Sequence, residues 1–440
     1  PMNKFILCMA MLVVSSCYEY TYAQETRYYT LTVEGMFELA EQNSKRLQAE
    51  KTFLAQAAAA VKEAQSDRLP DIEASISAAY IGDGWISDRD FTNGTSAPMP
   101  HFGNNFAFQV SQIVYAGGSV SQKIELARLE HRKGVLTLEQ NRQQIRFLLV
   151  GDYLDLYKQC NMLEVYDNNI RLTEQVLNCL RLREQQGIVL KNDLTRYELL
   201  LENLRFERLR IENTVSILNR SLAVTLGLPD GTVIRPDSTL PSTVPYSETR
   251  DFWHEAALEN STALRRLDLA KQIDRRQDKL IRAQRLPSIS LFASDCFNSP
   301  ILIEVPPINK NFNYWQVGIG ISYNFSSLYK TGKSLRRQRL AARRTEELYE
   351  AQLQRTGLDI DSDFIRFTEA CTQMVSQRKN VQLAKENYRI VSHRYENDMA
   401  LLTDMLDASN ALLKAEIELS NTRINIIFNY YKLHYTAGTL

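Results

Sequence analysis

Two aspartates near the C-terminus have a spacing that suggests chemistry. Asp404 and Asp407 are three positions apart, so on a helix both carboxylates lie on one face. Neighbouring carboxylates repel each other and attract cations, so the pair is a candidate cation-attracting site. Aspartates in the first turn of a helix are also common, because the positive end of the helix dipole stabilises them. The spacing alone leaves both interpretations open.

The histidines and cysteines form no catalytic or metal-binding pattern in the sequence. The five histidines lie in unrelated contexts, at His101, His131, His254, His393 and His434. The cysteines beyond the N-terminal segment are scattered and form no C-x-x-C pair, at Cys160, Cys179, Cys296 and Cys371. No nucleophile or phosphate-loop motif accompanies them. The sequence therefore predicts a protein that is not an enzyme and that uses no metal and no cofactor.

The composition indicates long helices and argues against a nucleic-acid partner. The 52 lysines and arginines balance 52 aspartates and glutamates, so the formal net charge is +0. A protein that binds nucleic acid through bulk positive charge is basic, and this one is not. The 440 residues include only 17 glycines and 12 prolines. Because these residues interrupt regular structure, their scarcity predicts long, mostly helical elements.

The N-terminus has the pattern of an export signal. Lys4 precedes the apolar run "FILCMAMLVV" (5–14), and small residues follow up to a predicted cleavage site after Ala23. The run is too short to cross a bilayer as a helix, which needs about 20 residues. "VSSC" (14–17) also fits a lipobox, and on this alternative Cys17 would become a lipidated N-terminus. Both interpretations predict an exported chain, with a signal at 1–23 or ending before Cys17.

The chain contains a tandem repeat in constant register. Two matches share one offset, Asn-Ser at 43–44 with 260–261 and Arg-Leu-Pro at 68–70 with 285–287. Two later matches share a second offset, Asp193 with Asp404 and "TLG" (225–227) with "TAG" (436–438), and we call it the turn offset. Matches in constant register indicate duplication. We predict two structural repeats, at 24–227 and 248–440, joined by a proline-rich, irregular linker at 228–247.

Each repeat is predicted to run helix, strand, loop, strand, long helix, turn, helix. In the first repeat, the periodicity predicts helices over 33–68, over about 119–186 and back to Gly227, with strands at about 71–80 and 106–116. In the second repeat, it predicts helices over 248–285, about 334–397 and 402–436, with strands at about 288–297 and 314–325. Pro70 and Pro287 mark the two helix-to-strand junctions, because proline ends a helix and favours extended geometry before it.

The last predicted strand has the pattern of a membrane β-strand. In "WQVGIGISYNF" (315–325), apolar residues alternate with small or polar ones, and aromatic residues lie at both ends. About 10 residues with one apolar face suit a transmembrane barrel. A strand packed on a soluble core is the alternative, but an isolated hairpin cannot bury its apolar face in water. Since four strands per chain are too few to close a barrel, we expect pairing with other copies of the chain.

These features together resemble the TolC family of outer-membrane efflux proteins, also called outer membrane factors. The duplication, the two "RLP" junctions and the segments "GIVLKNDL" (187–194), "RYENDMALLTDMLDAS" (394–409) and "TAGTL" carry the resemblance. It extends over essentially all of the chain after the export signal. It implies a mainly α fold with a β-barrel part, in which a homotrimer builds a 12-stranded outer-membrane β-barrel continued by a periplasmic α-helical barrel.

The resemblance implies a duct in the outer membrane of a Gram-negative cell, with a long periplasmic portion. The duct would belong to a tripartite efflux or type I secretion system. Substrates would pass, chemically unchanged, from a periplasmic adaptor (membrane fusion) protein and an inner-membrane pump through a trimeric tunnel gated at its periplasmic tip. The barrel would contact outer-membrane lipid. The alternative is an exported coiled-coil scaffold or surface fibre without a channel, which would not insert into a membrane.

The resemblance also assigns residues to the gate. Three copies of Asp404 and Asp407 would form an acidic aperture ring at the closed tip. Asp193 and Tyr395 match positions of the polar lock that holds the tip shut in the family. Ala400 lies where the family has an arginine of that lock, so the lock here is expected to be weaker or built differently.

The two helix turns are the expected surface for the adaptor. The resemblance assigns this contact to Gly187, Ile188, Val189, Leu190, Asp398, Met399, Ala400 and Leu401. Asp398 replaces the glycine of the second turn and is less comfortable than glycine at positive φ. Arg394 and Lys191 are the candidates to replace the cation that Ala400 lacks.

Overall fold

The structure is a computed structural model that describes residues 27–237, 248–304, 307–397 and 399–440. The export signal at 1–23, Cys17, much of the predicted linker and Asp398 lie outside the described residues. The chain divides into two units. We call Ala49–Gln140 with Ser261–Thr356 the strand unit. We call the residues up to Gln48, Asn141–Asn260 and Gly357–Leu440 the turn unit.

Eight α-helices lie within the described ranges. They are α1 (Val33–Asn43), α2 (Lys45–Ser66), α3 (Ser119–Gln185), α4 (Lys191–Thr225), α5 (Arg250–Asn260), α6 (Thr262–Ala283), α7 (Ser327–Glu396) and α8 (Leu402–Ala437). The long helices α3 and α7 agree with the scarcity of glycine and proline. In the part of the chain that the structure describes, no helix is both long and apolar enough to span a membrane.

Eight β-strands accompany the helices in the same ranges. They are β1 (Arg27–Leu31), β2 (Asp71–Tyr80), β3 (Gly84–Ile86), β4 (Thr95–Ala97), β5 (Phe102–Ala116), β6 (Thr232–Pro236), β7 (Ser288–Ser299) and β8 (Phe312–Ser322). β2, β5, β7 and β8 correspond to the four strands predicted from the alternating pattern. The other four were not predicted.

The first helix expected in each repeat is interrupted by one serine. Ser44 adopts extended geometry (ψ 115°) between α1 and α2, and Ser261 does the same (ψ 110°) between α5 and α6. Each serine hydroxyl then accepts a hydrogen bond from a backbone N–H three residues later, at 3.5 Å in both cases. This is the bond of a helix N-cap. The Asn-Ser match between the repeats therefore marks a helix break that periodicity alone did not predict.

The strand unit contains a four-stranded antiparallel sheet in the order β2–β5–β7–β8. β5 begins at Phe102, somewhat before the predicted start, and β8 ends at Ser322, somewhat before the predicted end. β8 ends early because the Asn324 side-chain oxygen accepts bonds from the N–H and hydroxyl of Ser326, which form a turn.

All four helix ends that adjoin this sheet lie at one end of it. Pro70 and Pro287 directly precede β2 and β7. Ser288 pairs with Ser322 on one side and with Ala116 on the other, so β5 and β8 end where β7 begins. β2 also begins near this end. The sheet therefore has one end attached to helices and one end that carries the loops.

One face of the outermost strand is apolar and exposed. Trp315, Val317, Ile319 and Ile321 are each 68–74% exposed. Within the described residues, β2 and β8 are the two edges of the sheet and pair with no further strand. An exposed strand edge has unpaired backbone groups that favour pairing with a further strand. The exposed apolar face beside it favours contact with another apolar surface.

Two small sheets complete the strands. β1 pairs in parallel with β6, and β3 pairs with β4 in the loop between β2 and β5. β6 lies in the segment expected to be an irregular linker, so that expectation was wrong for 232–236. The prolines of the segment 228–247 had suggested an irregular linker. A strand at the edge of a sheet tolerates proline, however, and Pro236 is the last residue of β6.

Tyr153 ties the β1–β6 sheet to α3 and supplies a stability prediction. Its buried hydroxyl donates to the Leu31 carbonyl at 2.7 Å and accepts from the Asp237 N–H at 2.9 Å. Burial raises the pKa of Tyr153 to about 12. Tyr153→Phe should lower the free energy of unfolding by about 1–3 kcal/mol, since it leaves both backbone groups without this partner.

The same prediction has a pH dependence. Because the folded pKa of Tyr153 lies above that of an unfolded tyrosine, its contribution is complete below about pH 10 and is lost as the pH rises towards 12. Denaturant unfolding of both proteins at pH 8 and pH 11 checks this. The difference in the free energy of unfolding between the unaltered protein and Tyr153→Phe should be smaller at pH 11 than at pH 8. Tyr29→Phe, at an exposed tyrosine of β1, should change the free energy of unfolding little at either pH. An equal difference at both pH values contradicts the prediction.

Candidate functional site

The first turn connects α3 to α4 through a glycine in left-handed geometry. Gly187 has φ +75°. The N–H of Ile188 donates to the carbonyl of Arg183 at 2.9 Å, and the N–H of Gly187 donates to the carbonyl of Glu184 at 2.9 Å. Such bonds satisfy the last carbonyls of a helix that ends at glycine. Leu190 is then extended and precedes α4.

The described residues of the second turn share a hydrogen bond and an extended leucine with the first. The N–H of Met399 donates to the carbonyl of Arg394 at 2.8 Å, the counterpart of the Ile188–Arg183 bond in the first turn. Leu401 (φ −79°, ψ 156°) precedes α8 as Leu190 (φ −77°, ψ 144°) precedes α4. The turn offset read from the sequence is thus also the offset between equivalent hydrogen bonds.

A shared apolar core holds the two turns together. Six buried residues form it, Leu177 and Leu180 from α3, Tyr197 and Leu201 from α4, and Leu402 and Met405 from α8. The α7 residues Tyr388, Val391 and Tyr395 pack against it. Side chains from all four helices therefore fix the position of one turn relative to the other. We call this cluster the tip core.

Arg183 joins the ends of α3 and α7. Its Nη2 donates to the carbonyl of Glu396, the last residue of α7, at 3.3 Å. Its guanidinium carbon lies 5.7 Å from the centre of the Tyr395 ring. The carbonyls at the end of a helix lack partners within the helix, and a cation there is favourable. Helices α3 and α4 form one helical hairpin, and α7 and α8 form a second. Arg183 therefore links the first helical hairpin to the second within one chain.

Tyr395 lies beside Arg183 and within electrostatic range of Asp193. Burial raises the pKa of the Tyr395 hydroxyl, a hydrogen bond from Arg183 acts in the opposite direction, and the charge of Asp193 raises the pKa further. Two of the residues assigned to the lock, Asp193 and Tyr395, are thus close together. Arg394 and Lys191, the candidate cations, are exposed and form no ion pair with the described residues. The arginine beside Tyr395 comes from α3, a contact that only packing between the hairpins creates.

Asp404 and Asp407 lie on one exposed face of α8. The Asp404 carboxylate accepts a hydrogen bond from the Leu401 N–H at 3.0 Å, so it caps its own helix. Asp407 is exposed one turn further along and forms no ion pair with the described residues. Asp404 therefore has the ordinary structural role that its position near a helix N-terminus suggests. The aperture ring concerns several copies of the chain and stays a prediction.

The tips of both turns present apolar side chains to solvent. Ile188, Leu190, Met399 and Leu401 are 59–72% exposed. They form two equivalent pairs at the turn offset. Val189, also assigned to the adaptor contact, instead packs partly against the tip core. Four exposed apolar side chains at matched positions give the tip an apolar surface on which another protein can pack.

A site for a metal ion was not expected from the sequence. In the described ranges, no group of three or more histidine, cysteine, aspartate or glutamate side chains is arranged to hold a metal ion. The four described cysteines are free thiols.

Comparison with known proteins identifies the fold. Residues 253–434 match the family model described as outer membrane efflux protein. No curated protein sequence matches significantly. VceC, an outer membrane protein of Vibrio cholerae, superposes with a TM-score of 0.76 and 16% identity, over 92% of this chain and 96% of that one.

Two further solved structures give the same result. The CmeC outer membrane channel of Campylobacter jejuni has a TM-score of 0.77 and 16% identity, over 95% of this chain and 90% of that one. A membrane protein of Pseudomonas aeruginosa has a TM-score of 0.78 and 14% identity, over 94% and 92%. The predicted fold class is confirmed, a mainly helical chain with a β part and the fold of TolC-like channels.

Proposed function

We propose that this chain, whose residues 253–434 match the family model described as outer membrane efflux protein, forms the outer-membrane duct of a tripartite efflux or type I secretion system. The match of residues 253–434 to that family model and the superposition on VceC, an outer membrane protein, support both the family and a location in the outer membrane. The family consists of channel proteins rather than enzymes. The homotrimer, the adaptor and pump partners and the gate at the tip are the finer parts of the proposal.

The open four-stranded sheet is the observation that carries the proposal. β2 begins and β8 ends at the helix-bearing end, so β8 of one copy and β2 of the next would run antiparallel. Three copies paired in this way would close a 12-stranded barrel with no free edge, as a bilayer requires. The apolar face of β8 would then contact lipid.

The tip core and the turns support a gate and an adaptor contact. The tip core packs the α3–α4 hairpin against the α7–α8 hairpin of the same chain, and Arg183 and Tyr395 connect the two hairpins near the tip. The exposed Ile188, Leu190, Met399 and Leu401 offer apolar side chains to the helix tips of an adaptor. Packing between helix tips of this kind is typical of coiled-coil contacts.

The test is single-channel conductance of the purified, detergent-extracted protein in a planar bilayer, with its mass in detergent measured alongside. A trimer with a small, cation-selective conductance is the expected result. A monomer or water-soluble oligomer that never inserts would exclude the duct and favour the exported coiled-coil scaffold.

Asp407→Asn tests the aperture ring. We expect block by trivalent cations to weaken roughly tenfold, because each of three subunits would lose one carboxylate of the constriction. Asp407 is the better choice than Asp404, since α8 keeps its Asp404 cap. Glu202→Gln on α4, an exposed acid paired with Arg205, is the matched control and should leave the block unchanged. Unaltered block in Asp407→Asn places this residue outside the aperture.

A further inference from the structure

Cations are concentrated on the two helices that adjoin β7 and β8. From Ser327 to Thr345, α7 contains no acidic residue and seven basic ones, Lys330, Lys333, Arg336, Arg337, Arg339, Arg343 and Arg344. α6 contains seven basic residues, Arg265, Arg266, Lys271, Arg275, Arg276, Lys279 and Arg282, against three aspartates. The whole chain carries a net charge of +0, so this excess is local.

The cations of α7 lie away from its packed face. Thr331, Leu335 and Gln338 are buried and define the packed face. All seven basic residues are exposed. Like charges three and four positions apart on a helix repel one another, so such a face is unfavourable without anionic partners.

The corresponding helix start in the first repeat pairs three of its four lysines and arginines with acidic residues. In α3, Lys123 pairs with Asp67 at 3.3 Å, Arg128 with Glu125 at 2.7 Å and Lys133 with Glu130 at 3.2 Å. Between Ser327 and Ala342 of α7 no such pair occurs among the described residues; the first is Arg343 with Glu347. Arg275 and Lys279 of α6 also form no ion pair with the described residues.

The unpaired cations lie next to the helix-bearing end of the sheet. Only a short segment, 284–287, separates α6 from β7, and an equally short one, 323–326, separates β8 from α7. At about 1.5 Å per residue, Lys279 lies about 6 Å from the end of α6, and Lys330, Lys333 and Arg337 lie about 5–15 Å into α7. Phe325 and Tyr329, which are 73% and 70% exposed, lie along the chain between the apolar strand face and these cations.

This order of side chains along the chain matches a membrane–water interface. Apolar residues on a strand, then aromatic residues, then lysine and arginine correspond to the hydrocarbon core, the interfacial belt and the headgroup layer. Arginine and lysine bind phosphate oxygens through charge-assisted hydrogen bonds. A phospholipid joins an anionic headgroup to apolar chains, so it fits both the cations and the strand face beside them.

We propose that Arg275, Lys279, Lys330, Lys333, Arg336 and Arg337 form a cationic face that binds the phosphate headgroups of anionic phospholipids. The inference rests on the proposed function, since it requires the sheet to lie in a membrane. It makes the second repeat the lipid-binding repeat, because most cations at the start of α3 in the first repeat already have acidic partners. The occupant is a lipid and not free phosphate, because the cations continue directly into an apolar surface.

The experiment compares two variants that each lose four cations. One carries Lys279→Gln, Lys330→Gln, Lys333→Gln and Arg337→Gln, and the matched control carries Lys123→Gln, Arg128→Gln, Arg132→Gln and Lys133→Gln in α3. The purified full-length proteins are placed in detergent micelles that contain equal amounts of phosphatidylglycerol and phosphatidylcholine. Native mass spectrometry then measures the ratio of the two lipids that stay bound.

We expect phosphatidylglycerol to be enriched on the unaltered protein and on the α3 variant, and about tenfold less on the α6–α7 variant. Equal enrichment on both variants overturns the proposal. Displacement of phosphatidylglycerol by inorganic phosphate, but not by chloride of the same ionic strength, assigns the face to free phosphate and also overturns it. Bilayer conductance of the same preparations separates failure of the lipid-binding proposal from failure of the proposed duct. A protein that inserts and conducts but shows no lipid preference contradicts only the lipid-binding proposal.

Discussion

Arg183→Gln should increase the conductance of the closed channel about tenfold. The substitution removes the bond from Nη2 to the Glu396 carbonyl and the contact with the Tyr395 ring, which connect α3 to the end of α7. A hydrogen bond from a charged group contributes about 1.5–3 kcal/mol, and partial exposure lowers this value. Since about 1.4 kcal/mol changes an equilibrium tenfold, the open form should become about ten times more populated.

Two further variants show whether the contact is responsible. Arg181→Gln removes a nearby arginine of α3 that pairs with Glu198 inside the first hairpin, and its conductance should stay unchanged. Tyr395→Phe keeps the ring but removes the hydroxyl, so it should raise the conductance less than Arg183→Gln does. Single-channel recording in planar bilayers measures all three. Equal conductance in Arg183→Gln and the unaltered protein would show that Arg183 plays no part in closure.

Trp253→Ala should destabilise the turn unit by about 3–5 kcal/mol, the usual cost of truncating a buried tryptophan. Trp253 of α5 is 2% exposed and packs in a cluster with Ala257, Ile360, Phe367, Leu433 and Ala437, from α5, α7 and α8. Its ring meets His434 edge-on, with the ring centres 4.9 Å apart. The truncation loses the transfer free energy of the ring and leaves a cavity, which explains the size of the effect.

The neighbouring Phe252 supplies the control. It precedes Trp253 on the same helix but is 49% exposed, so Phe252→Ala should cost well under half as much. Guanidinium unfolding of the detergent-solubilised proteins, followed by circular dichroism, measures both. Similar losses of stability in the two variants would mean that α5 is not held by this cluster.

The helix turns are a feature that residues close together in the sequence predicted well. The glycine at 187 and the turn offset predicted two equivalent turns. In the described residues, the Met399–Arg394 bond repeats the Ile188–Arg183 bond, and an extended leucine precedes the next helix in both turns. The prediction succeeded because helix termination depends on a few adjacent residues. The breaks at Ser44 and Ser261 had the same local cause, and the Asn-Ser match already marked them.

The lock and the linker show where local sequence was insufficient. Asp193 and Tyr395 were assigned from the resemblance, but Arg183 lies in the other repeat from Tyr395 and has no signal in its own surroundings. Its role follows from the packing of α3 against α7 in the tip core. Likewise, β6 became a strand because β1, near the opposite end of the first repeat, offers it an edge.

The sequence by itself determined the repeated matches, the proline-marked junctions, the alternating strands and the resemblance to the TolC family. Each of these depends on residues close together in the chain or on repetition of the same residues. Only the tertiary structure decided the open order of the sheet, the Arg183 contact, the capping role of Asp404 and the contrast between paired cations in α3 and unpaired cations in α7. These depend on which distant side chains meet, because hydrogen bonds and ion pairs act over a few ångströms and the fold alone sets those distances.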